Sequence, residues 1–132
     1  MELLNTQWNN ADIDIQASFM PNRLWLAATI DVLLNQEKIL ATGGKLRFKG
    51  KYEEQFKRDG VKHMVRLEWG QFWLHTVPCT LYIDDQQILQ GKVNIRNWQM
   101  NIVALIFYGI FLFILCHSLL ILSIAVKIML GI

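Results

Sequence analysis

From residue 11 the chain alternates apolar and polar positions. In ADIDIQASF, Ile13, Ile15, Ala17 and Phe19 fall on one side and Asp12, Asp14, Gln16 and Ser18 on the other, the period of a strand that buries one face. Pro21 and Asn22 interrupt the pattern, and RLWLAATIDVLL resumes it with Leu24, Leu26, Ala28, Ile30, Val32 and Leu34 in one phase. A helix also accommodates this stretch, but its Thr, Ile and Val content favours a strand. Further on, Asp59-Gly60 separates YEEQFK from VKHMVRLEW, a hairpin signal because Gly takes positive φ without a steric penalty. Asp84 and Asp85 mark another turn, between CTLYI and QQILQ. The pattern predicts about seven or eight short strands, with no helical period long enough to pack on them, and hence a mainly β fold, an antiparallel sandwich or small barrel over residues 1–97.

The alternation ends near residue 101. IVALIFYGIFLFILCHSLLILSIAV, residues 102–126, contains no Asp, Glu, Lys or Arg. As a helix it measures roughly 37 Å against a hydrocarbon core of about 30 Å, enough for one tilted crossing. Residues 98–132 therefore form a second unit, a juxtamembrane stretch and one transmembrane helix. Trp98 and Tyr108 suit the headgroup level and Lys127 can extend its ammonium toward the far interface. MELLNTQWNNADIDI has neither the basic cluster nor the apolar run of a signal peptide, so the expected arrangement is tail-anchored and single-pass, with a cytosolic amino-terminal domain. Cys79 and Cys116 lie in different units and lack redox-pair spacing, which fits a reducing compartment.

Composition agrees with this division. Of 132 residues, 53% are hydrophobic, and the excess over an ordinary globular share lies in the span. There is also an internal echo, VLLNQEKILATGGKLRF at 32–48 against LYIDDQQILQGKVNI at 81–95, with Ile39-Leu40 matching Ile88-Leu89. It suggests two similar hairpins in related positions of two sheets, although any two hairpins share much of this plan. In the second copy and the strand before it, DGVKHMVRLEWG and CTLYIDDQQIL supply Asp59, Gly60, Val61, Val65, Leu67, Glu68, Gly70, Tyr82, Ile83 and Asp84. This order resembles that of the Fas apoptotic inhibitory molecule family. The resemblance implies a β-sandwich and carries no functional residue across. That family is soluble, and the stretch from Gln71 to Thr80 departs from its shorter connection.

Charge is uneven. Residues 1–44 carry a net −3, residues 45–66 a net +5 and residues 67–101 a net −1. Within the basic block, KLRFKGKY places Lys45, Arg47, Lys49 and Lys51 at intervals of two, four cations on one face of a strand. Anionic lipid is the nearest complementary surface for a tethered domain, with an acidic protein as the other candidate and nucleic acid disfavoured. A solvated outer sheet face that discourages edge pairing has the same pattern.

Candidate chemistry is sparse. Trp69, Phe72 and Trp73 could close the core or leave one ring exposed for a contact. His63, His75 and Cys79 do not form a ligand set, since positions 75 and 79 of a strand stand about 13 Å apart. No nucleophile elbow, phosphate-binding loop or zinc-protease motif occurs, so neither enzyme activity nor a cofactor or metal is expected. The span is more informative. Gly109, Cys116 and Ser123 recur every seven residues, a stripe that lets another helix approach. His117 and Ser118 add polar groups near its middle, where each needs a partner. The expected function is a non-enzymatic accessory or scaffold subunit of a membrane complex, packing with a membrane-protein partner or as a homo-oligomer. The alternative is a tethered binding module acting through its basic face.

Overall fold

The computed structural model describes residues 4–44 and 49–132. Among these residues eight strands run in chain order: β1 (Leu4–Trp8), β2 (Ala11–Phe19), β3 (Ala28–Leu34), β4 (Glu37–Ala41), β5 (Gly50–Arg58), β6 (Val61–Trp69), β7 (Thr76–Ile83) and β8 (Gln86–Asn94). One helix, α1 (Trp98–Leu130), follows them. β1–β4 make one antiparallel meander and β5–β8 another, the mainly β architecture followed by one apolar helix that the alternation predicts. Ile13, Ile15, Ile30 and Val32 of the first sheet share a buried core with Val65, Leu67, Leu81 and Ile83 of the second. Fully burying each such side chain contributes about 1.5–3 kcal/mol.

The sheets are alike in detail. The first hairpin turns at Asn9-Asn10 and its counterpart at Asp59-Gly60; the second turns at Asn35-Gln36 and Asp84-Asp85. All eight turn residues have positive φ, the two-residue turn whose twist matches that of paired strands. β3 and β7 share one alternating burial pattern. The echo noted above falls on the β3–β4 and β7–β8 hairpins, and each has a register shift at the equivalent place, between Val32 and Leu33 and between Leu81 and Tyr82.

This topology gives the sandwich two unlike ends. All four tight turns lie at one end. The other gathers the β2–β3 and β6–β7 loops, the end of β4, the start of β5 and the start of α1. A parallel bridge between Ala17 and Ile95 joins the sheets there. The helix is fixed by a long-range clamp, in which the Phe19 N–H donates to Asn97 Oδ1 at 2.7 Å and Asn97 Nδ2 donates to the Phe19 carbonyl at 2.9 Å. Asn97 occupies the N-cap position, where Asn normally bonds the first helical turn, yet its side chain makes no cap bond and serves the sheet instead.

One expectation needs correction. The apolar phase continues through Leu24 and Leu26, but β3 begins at Ala28, after a single 3₁₀ turn at Pro21–Arg23. Pro21 starts that turn, and backbone bonds from Arg23 and Trp25 to the Met20 carbonyl and from Leu24 to that of Pro21 close the loop on itself. Its N–H groups are thereby withdrawn from strand pairing.

Candidate functional site

The site is the helix with the loop end from which it leaves. α1 has 33 residues, about 50 Å at 1.5 Å per residue, and is long and apolar enough to cross a membrane. Only its first turns touch the sandwich. Ala104 is buried, Trp98 is half-buried against the sandwich core, and from Gly109 onward every helix residue is exposed. The helix stops in a left-handed Gly131 whose N–H returns to the carbonyls of Ile128 and Lys127, a glycine C-terminus with Lys127 in the last turn.

Along the exposed part lie Gly109, Cys116 and Ser123, and a Cβ on Gly109 would meet nothing within 4 Å. His117 lies beside Phe113, ring centroids 4.7 Å apart. Ser118 Oγ donates to the Ile114 carbonyl at 2.9 Å, satisfying itself within its own helix.

At the loop end, Tyr108 Oη donates to the Leu24 carbonyl at 3.3 Å and Asn101 Nδ2 donates to that of Trp25. The β2–β3 loop thus lies along the helix, with a narrow groove between Trp25 and the Met100–Tyr108 segment. Leu24 and Trp25 both have φ near +55°. Left-handed geometry costs a bulky residue roughly 1–2 kcal/mol, and such strain gathers where function needs a fixed shape. The three aromatic residues at and after the end of β6 separate: Trp69 is buried, Phe72 packs half-buried on the core, and Trp73 is 72% exposed. His75 sits beside Trp98, ring centroids 5.8 Å apart.

The basic ribbon is only partly visible. Lys45 and Arg47 lie outside the described residues. Lys49 and Lys51 are exposed at the loop end, and Lys51 stands opposite Glu68 in the β5–β6 register. His63 and His75 lie at opposite ends of the sandwich. His63 Nδ1 is 2.7 Å from Asp84 Oδ2, a contact that, with the Met64 N–H, holds the Asp84 carboxyl below its ordinary pKa. Cys79 is buried in β7, where desolvation pushes its thiol up to about 12 and suppresses the reactive thiolate.

The sequence pattern did not disclose Leu24, Trp25, Asn97 or Asn101 as junction residues. Pro21-Asn22 was the only available cue, since the polar contacts at the junction join positions 76 to 84 residues apart. No family model matches the chain, and no curated protein or solved structure is significantly similar to it.

Proposed function

We propose that α1 anchors the protein in a membrane and that the protein works there as a non-enzymatic accessory or scaffold subunit. Its helix packs against another membrane helix and its sandwich stands on the cytosolic surface. The observation that supports this most is the state of His117, on a helix whose side chains are all exposed beyond Tyr108. Apart from Phe113 its imidazole has no partner among the described residues. A polar ring at mid-span favours a second protein helix that offers an acceptor, and Gly109 leaves space for its approach. Lys92 and Arg96 before the span agree with cytosolic placement of the sandwich.

The test is mild detergent extraction of the intact chain followed by sizing and crosslinking. The expected result is an oligomer or a complex with another membrane protein, dispersed when Gly109→Leu and Cys116→Leu are combined. A monomer indifferent to both substitutions would overturn the subunit role.

A further inference from the structure

The sandwich holds its exposed apolar side chains unevenly. Among the described residues before α1, the large exposed ones are Leu24, Leu26, Val61, Met64, Trp73 and Leu74. Four of these six lie in the β2–β3 and β6–β7 loops, both beside the helix base. Neither loop is a loose connection. The Met20 N–H reaches the Ala27 carbonyl, the Leu26 N–H that of Arg23, and Trp73 and Thr76 exchange backbone bonds across the second loop. Both loops thus have backbone bonds that fix their shape while leaving apolar side chains in the open, where a water-facing loop would carry polar ones.

The helix supplies the depth. Tyr108 and Lys127 are separated by 19 helical steps, about 28 Å, close to the hydrocarbon thickness of about 30 Å. A crossing bounded by these residues puts Tyr108 at the near interface. Because Tyr108 bonds the Leu24 carbonyl, the tip of the β2–β3 loop lies at that level too. Charge is complementary: Arg23, Lys49, Lys51, Lys92 and Arg96 belong to this end of the sandwich, where basic groups meet anionic headgroups.

We propose that Leu24, Leu26, Trp73 and Leu74 form a second membrane contact, inserted into the boundary between headgroups and acyl chains beside the helix, so that the sandwich is seated on the bilayer at two further points. This rests on the reading that α1 crosses the bilayer. It adds a lipid-binding site to the domain itself, of the kind by which rigid apolar residues anchor a surface-bound protein.

The test uses the full chain in phosphatidylcholine–phosphatidylserine nanodiscs, with Cys116→Ala and the buried Cys79 retained. One environment-sensitive fluorophore is attached in turn through Leu24→Cys, Leu74→Cys, Asn35→Cys in a tight turn at the far end, and Leu112→Cys in the helix. The expected result is blue-shifted emission at 24 and 74, with quenching by shallow nitroxide lipid and loss of quenching by aqueous iodide, while 35 shows the opposite and 112 is quenched only by lipid. If 24 and 74 behave like 35 while 112 is lipid-quenched, the inference falls and the spanning helix stands. If 112 escapes lipid quenching, the spanning reading falls and takes the inference with it. Shielding of 24 and 74 from iodide without lipid quenching would assign the patch to a protein contact and overturn the lipid site.

Discussion

The two ends of the sandwich are built on different principles. At the turn end every connection has two residues, each with the φ that its turn needs, and side chains meet there through polar bonds, Asp84 with His63, Asp85 with Arg66 and Arg58 with the Trp8 carbonyl, and through the packed rings of Trp8, Phe56 and His63. The turns themselves are local, while these side-chain bonds join positions 19 to 50 residues apart. At the loop end the β2–β3 and β6–β7 connections are longer, the first holds Leu24 and Trp25 in a costly geometry, and it combines its own backbone bonds with partners 76 to 84 positions along the chain. The difference shows where the molecule accepts strain. Tight turns that place mostly Asn, Asp and Gly at their left-handed positions, with Gln36 the exception, suffice to close hairpins, whereas apolar side chains held outward at the helix base need a reason outside the core.

The comparison can be broken most severely at the clamp. Asn97→Ala removes both bonds to Phe19 and leaves its partly buried N–H and carbonyl unpaired, so a loss of about 2–3 kcal/mol is expected, measured by denaturant unfolding of the full chain in micelles. A loss below about 0.5 kcal/mol would show that the loop end is held by apolar packing alone.

Leu24→Asn opposes two effects. Asn tolerates the left-handed region, worth about 0.5–1 kcal/mol, but it removes the apolar side chain proposed to meet lipid, so a net change of under about 1 kcal/mol, smaller than that of Asn97→Ala, is expected in the same unfolding measurement in micelles. A clear gain would show that Leu24 strains the fold and makes no apolar contact with the micelle.

The smallest effect belongs to the turn end. The Asp84 carboxyl is held below its ordinary value by the His63 contact first and the Met64 N–H second. The native pKa lies below the unfolded one, so its contribution is present above the ordinary aspartate range and lost as pH falls through the lowered native value. Acid titration of stability should show this component reduced in Asp84→Asn, and reduced by salt as well, because the carboxylate is exposed.

The sequence disclosed those parts of the fold that repeat at short range. Ile13 to Ala17 and Ala28 to Leu34 alternate as they pack, Asp59-Gly60 turns where the chain turns, and the uncharged run from Ile102 is helical. Leu24 and Leu26 misled because their phase continues that of β3, and periodicity cannot distinguish an apolar loop from an apolar strand; only the loop's own backbone bonds do so. Asn97 carries no pattern at all, being one polar residue whose partner lies 78 positions away. Trp69 and Trp73 share a strand phase, yet one is buried and the other bare, because β6 ends at Trp69 and alternation no longer applies.

Asn97 fixes the start of α1 to β2, and Asn101 and Tyr108 fix its next turns to the β2–β3 loop, so the helix cannot spin about its axis without turning the sandwich. Each residue of a helix occupies its own direction, about 100° from the last. On the proposed reading that α1 crosses a bilayer, a partner that gripped the Gly109 and Cys116 side would therefore also set the compass bearing of the Asp84-Asp85 turn. A packing register displaced by one residue would swing that turn around the bilayer normal by about the same angle. The protein would then act as a pointer, its heading chosen inside the membrane and displayed at the far end of the sandwich.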